Sequence, residues 1–80
     1  MKNELKRYRQ DAGLTLQELA DMYGGTKSHC WALERGTSVP TIKTAYAIAR
    51  VLDKTVYMIW PDKTQIVEET IIIRRVQERT

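Results

Sequence analysis

The 80-residue chain has one cysteine, one histidine, two prolines and no phenylalanine. A lone thiol, Cys30, excludes an internal disulfide framework and a four-thiolate zinc site. One histidine, no nucleophile–base pair and no phosphate-cradling glycine motif make an enzyme the remote option. No apolar run approaches the roughly 20 residues that a bilayer span needs. Met1-Lys2-Asn3-Glu4 leads into mixed charge, not an apolar stretch, which argues against a signal peptide. A cytoplasmic, reducing setting is expected, with no membrane association, cofactor, metal or small-molecule ligand.

What is present is ordinary for one small globular domain: 42% hydrophobic and 29% charged residues. Thirteen basic and ten acidic side chains leave a net charge of +3. Residues 1–54 hold nine basic and six acidic groups, and residues 55–80 hold four of each, so the whole excess lies in the N-terminal two-thirds. A basic surface there would gather polyanions, of which nucleic acid is the commonest. Plain solubility is the alternative reading of the same excess.

The spacing predicts five helices. Leu5, Tyr8 and Ala12 recur at helical period over residues 4–12, and Gly13 ends the run. Thr15 and Glu18 form a T-x-x-E capping box ahead of Leu16, Leu19, Ala20 and Tyr23, with Gly24-Gly25 as the stop. Thr26 caps a third helix from Lys27 to Arg35, closed by Gly36 and the loop to Pro40. Thr41 caps a fourth, whose Ile42, Ala45, Ala49 and Leu52, with Tyr46 and Ile48 beside them, form a broad core-facing stripe. Thr55 caps a short last turn, Val56 to Trp60, ended by Pro61, although that segment is rich in strand formers.

Residues 65–77 differ in kind, with Ile66, Val67, Thr70, Ile71, Ile72, Ile73 and Val76 concentrating β-branched side chains. A strand centred on Thr70–Arg75 is expected. Alone it would be an association hazard, so it wants a partner. The expected organisation is an all-α domain over residues 1–60 and a C-terminal β extension over residues 61–80, with Ile71, Ile72 and Ile73 as dimerisation residues.

The second and third helices carry the functional signal. Small Ala20 lets the third helix approach, Gly24 suits a tight interhelical turn, and Cys30 and Leu33 point back to the core. The opposite face of the third helix then presents Ser28, Trp31, Ala32 and Arg35, flanked by Lys27. A short helix with such a face suits the major groove of DNA.

Gly13-Leu14-Thr15, Glu18-Leu19-Ala20, Gly24, Leu33-Glu34-Arg35-Gly36, Pro40-Thr41-Ile42 and Ile48-Ala49-Arg50-Val51-Leu52 follow one another in a familiar order and spacing. Residues 4–60 thereby resemble the Cro/CI-type (XRE) helix-turn-helix domain of phage repressors and many bacterial regulators. The resemblance implies a five-helix, lambda-repressor-like domain that binds double-stranded operator DNA, usually as a homodimer, in a bacterial host cell.

Carried over by position, the resemblance places base-reading sites on Lys27, Ser28 and Ala32. Trp31 and Arg35 share that face and join them as candidates. Backbone contacts are expected from Gln17, Thr26, Thr37, Ser38 and Lys43. Arg9 and Glu34 fall where the family often pairs an arginine with a glutamate. Five positions depart from the pattern: Leu16 replaces a phosphate-contacting glutamine, Gly25 a β-branched residue, Trp31 a polar one, and Asp53-Lys54 a glycine–valine pair. Gly25 is expected to loosen the turn.

Plainer readings stand beside these. His29 and Cys30 are adjacent but lack a third metal ligand, so a packed cysteine beside a surface histidine is the expectation. Trp31 either stacks in the groove or packs on a neighbour. Arg74 and Arg75 are a solvated strand end or extra phosphate contacts. The favoured expectation is a Cro-like repressor on a two-fold operator. The alternative is an interaction protein, an antitoxin or adaptor, whose tail pairs with a partner protein.

Overall fold

The computed structural model describes residues 2–61. Five helices follow in order: α1 (Leu5–Asp11), α2 (Leu16–Tyr23), α3 (Lys27–Arg35), α4 (Ile42–Leu52) and α5 (Val56–Ile59). The expected strand around Thr70–Arg75, with Ile71, Ile72 and Ile73, lies outside the described residues.

Four helix starts are built alike. Thr15, Thr26, Thr41 and Thr55 each take an extended backbone, and each hydroxyl accepts from the amide three residues on, at Glu18, His29, Thr44 and Met58. Each such cap is worth about 1 kcal/mol. At Thr15 the box is complete, because the Glu18 carboxylate accepts from the Thr15 amide at 2.9 Å. These bonds hold the Glu18 carboxyl below its ordinary range. The first helix starts differently: Asn3 Oδ1 accepts from the Leu5 amide, and Asn3 Nδ2 donates to the Leu33 carbonyl at the end of α3.

Leu5, Leu19, Ala20, Cys30, Leu33, Ala45, Ile48, Ala49, Leu52, Val56, Ile59 and Trp60 make one core. α2 lies at its centre, packed against both α3 and α4, while α1 covers α3 and α5 closes on α4. The Glu4 amide donates to the Ile59 carbonyl at 2.8 Å, which joins the two ends of the domain. Trp60, fully buried, is the largest core side chain, a role the sequence pattern did not mark.

Two expected core positions are exposed. Ala12 is the C-cap of α1, one residue beyond its last turn, and so falls off the helical stripe. Tyr46 is 56% exposed, because two residues separate it by about 200° from buried Ile48. α4 ends on Asp53 in the left-handed region at φ 54°, where the family pattern has glycine. Aspartate tolerates that conformation better than most side chains, so the turn keeps its shape.

Candidate nucleic-acid interface

The third helix has a sharply divided surface. Cys30 and Leu33 are fully buried against the core. Lys27, Ser28, Trp31 and Arg35 are exposed, and Ala32 is half-exposed between them. Burial pushes the Cys30 thiol up to about 11, with the nearby Glu34 charge adding to the effect. A neutral, enclosed thiol is a packing group, not a nucleophile.

The back of α3 is also locked by charge. Arg9 Nε donates to Glu34 Oε1, and Arg9 also donates through a terminal nitrogen to the Leu14 carbonyl at 2.7 Å. The two charged side chains are only 12% and 6% exposed. One arginine thus ties α1, the turn before α2 and the end of α3. No group of three potential metal ligands forms among the described residues.

At the turn, Gly24 takes φ 85° and ends α2, a conformation that a Cβ would oppose. Gly25 serves a different purpose. A Cβ there would sit 2.3 Å from the Tyr23 ring, which folds back over the turn. The Tyr23 hydroxyl meets His29 Nδ1 at 2.8 Å. The glycine therefore makes room for a clasp from α2 to α3. His29 is half-buried beneath this clasp and is not the free surface histidine expected. Burial raises the Tyr23 phenol to about 12, so it stays protonated.

The front of α3 has its own internal contact. The Arg35 guanidinium lies 4.6 Å from the centre of the Trp31 ring, and the ring remains 50% exposed. Spacing of four residues puts both side chains on one stripe. Thr37 and Ser38 fold onto the end of the helix, where both amides and the Thr37 hydroxyl donate to the Ala32 carbonyl. Gln17 is exposed at the start of α2 and donates to Asp21 at 2.8 Å. Thr26 is engaged as the α3 cap, and Lys43 is exposed in the first turn of α4.

The structure therefore brings Lys27, Ser28, Trp31, Ala32 and Arg35 to one accessible face, with Thr26, Thr37 and Ser38 at its two ends. Sequence reasoning missed the Tyr23–His29 clasp and the contribution of Asn3.

A helix-turn-helix family profile matches residues 5–58. The chain belongs to the XRE-type helix-turn-helix family. Among curated helix-turn-helix relatives, an uncharacterized HTH-type transcriptional regulator of Methanothermobacter thermautotrophicus is 37% identical over 54 residues, covering 68% of this chain and 78% of the relative. Another uncharacterized HTH-type transcriptional regulator, from Methanocaldococcus jannaschii, is 40% identical over 50 residues, covering 62% and 76%. Among solved structures, SinR, the master regulator for biofilm formation, in complex with DNA superposes with a TM-score of 0.63 at 34% identity, covering 68% of this chain and 87% of that one. A SinR/SinI complex gives 0.68 at 28% identity, covering 92% and 75%.

In this helix-turn-helix chain the departures from the family pattern fall into two groups. Gly25 and Asp53 are accommodated by local geometry, through the Tyr23 clasp and a left-handed aspartate. Leu16 and Trp31 are different: Leu16 is half-buried at the start of α2 and Trp31 is exposed on α3, and both line a cleft beside that helix. No described helix is long and apolar enough to cross a membrane.

Proposed function

We propose that the protein is a sequence-specific DNA-binding transcriptional regulator, with α3 as the helix that enters the major groove. The observation that carries this is the division of α3: polar, cationic and aromatic side chains outward, the opposite side clamped to the core. A base-reading helix must be held rigidly and presented freely at once, and here both hold. Its N-terminal turn supplies Lys27 for guanine O6 and N7 and Ser28 as a permissive donor or acceptor, and its second turn supplies Ala32 for a thymine methyl. Gln17, Thr26, Thr37, Ser38 and Lys43 serve phosphates around it.

The finer reading is a Cro-like phage or prophage repressor that binds a two-fold operator as a homodimer, with Ile71, Ile72 and Ile73 pairing the two tails. Two copies of α3 then span adjacent major grooves about 34–36 Å apart. Selection of bound fragments from random duplex DNA, with the solution mass measured alongside, tests both levels. A palindromic motif with half-sites one helical turn apart, lost in Lys27→Ala and Ser28→Ala, supports the reading. Binding without base preference, or without dependence on salt, overturns it.

One observation favours a protein partner instead. Tyr46 and Tyr57, 56% and 64% exposed, line a groove between α4 and α5 whose rim carries Arg50 and Lys54. A chain that recovers no duplex in the selection but forms a hetero-complex through this face would be an antitoxin or adaptor.

A further inference from the structure

The five outward residues of α3 are not equivalent in height. A rise of about 1.5 Å per residue sets Arg35 about 12 Å beyond Lys27 along the helix axis, roughly the width of the major groove. When the N-terminal turn reads bases, as proposed above, the far end of the helix therefore stands at the groove's edge, where phosphates lie.

At that end the molecule has a cleft of about 230 Å³ between three helices, lined by Lys6 and Arg9 of α1, Leu16 of α2, and Trp31, Glu34 and Arg35 of α3. Its charges are not balanced. Arg9 and Glu34 neutralise each other at the back. Lys6 and Arg35 are exposed, and no salt bridge to a carboxylate is formed by either among the described residues. Trp31 forms one wall and carries the Arg35 guanidinium on its face. Leu16, in the place of the family's phosphate-contacting glutamine, contributes only a half-buried apolar side.

We infer that this cleft is a phosphate seat: Lys6 and Arg35 grip one phosphate of the DNA backbone at the flank of the site, and Trp31 is a positioning residue that holds Arg35 toward it. Trp31 and Arg35 then contribute affinity and register, and sequence preference stays with Lys27, Ser28 and Ala32. The seat replaces the contact that Leu16 cannot make. Arginine suits this place because its planar fork stacks on indole while its edge still donates two bonds to phosphate oxygens.

The inference rests on the DNA-binding reading, and the test separates the two. Affinity for the selected duplex is measured against salt for the wild type and for Lys6→Gln, Arg35→Gln, the double variant, Trp31→Ala and Trp31→Phe. Arg35→Gln is expected to lower the salt slope by about one per bound subunit, so that on a two-fold site its affinity deficit narrows about twelve-fold between 50 and 200 mM salt. Lys6→Gln should do little more in the Arg35→Gln background, since the two share one phosphate. Trp31→Ala should reproduce most of the Arg35→Gln effect, and Trp31→Phe should recover it by restoring an aromatic face. All variants should select the same base motif and unfold at the wild-type midpoint.

A changed motif in Arg35→Gln or Trp31→Ala overturns the inference and makes these residues base readers, with DNA binding itself intact. Additive slopes for Lys6→Gln and Arg35→Gln overturn the shared seat. A wild-type protein that binds no duplex overturns both readings together.

Discussion

The two sides of α3 solve different problems with similar residues. An arginine and a glutamate on the core side, Arg9 and Glu34, are almost shut off from water and satisfied by each other and by the Leu14 carbonyl. An arginine on the outer side, Arg35, rests on an exposed indole with no carboxylate partner among the described residues. The first is committed to the fold. The second stays exposed at the surface. Burial and satisfaction, not residue type, tell a charge committed to the fold from one presented to solvent.

Breaking the core side gives the largest expected effect. Arg9→Met leaves the Glu34 carboxylate enclosed without its partner, and about 3–5 kcal/mol of stability should be lost. Arg9→Met combined with Glu34→Leu should recover most of that loss, because two apolar groups leave no orphan charge. Urea denaturation of the three proteins checks this. If Arg9→Met alone costs less than about 1 kcal/mol, the pair behaves like an exposed one and the distinction between the two sides fails.

A smaller loss is expected at alkaline pH, again from the core side. The thiol of Cys30 is raised by burial to about 11 from an ordinary value of 9.0, and the Tyr23 phenol to about 12 from 10.0. Both groups ionise first in the unfolded chain, which then binds fewer protons than the native one. Stability should therefore be full below about pH 9 and fall as the pH climbs through 11. Denaturation midpoints followed from pH 8 to 11.5 measure the slope. Cys30→Ala should be the shallower of the two curves, and an unchanged slope would show that the thiol is not the group responsible.

Next is the clasp over the turn. Gly25→Ala should displace the Tyr23 ring and cost about 1 kcal/mol, the worth of the lost hydrogen bond to His29. Tyr23→Phe should cost about the same by removing the hydroxyl. Together they should cost little more than either, since both remove one contact. Additive losses would mean that Gly25 acts on the turn by itself.

These predictions also mark what could be read from the chain before its structure. Local, covalently close features were legible: a threonine three residues ahead of the amide it caps, apolar residues at helical period, the small Ala20 facing the third helix. They depend on short sequence distances, where backbone geometry leaves few options. The front of α3 was legible for the same reason, since naming the buried Cys30 and Leu33 names the opposite face. What escaped depends on side-chain direction across a turn or between distant elements. Gly25 signals only the absence of a Cβ, and nothing in the string says that Tyr23 fills the space. Asn3 bonds to Leu33, thirty residues away, and Trp60 is fully buried although it follows the last helical turn. The Trp31–Arg35 stack had a visible signal in its spacing of four, but spacing alone does not separate a stacked pair from two free side chains.

The smallest stability effect belongs to the outer side, and it sharpens the comparison most. Lys27→Ala removes a side chain that is exposed in the first turn of α3, so unfolding should change by less than about 0.5 kcal/mol. On the proposed reading the same change removes a base contact, and discrimination at one position of the site should fall by about 1–3 kcal/mol. Calorimetric unfolding and binding to a set of single-base variants of the selected duplex measure the two quantities on one protein. A loss of stability as large as the loss of discrimination would place Lys27 in the fold, because a residue that only presents itself to a ligand has nothing to hold when the ligand is absent.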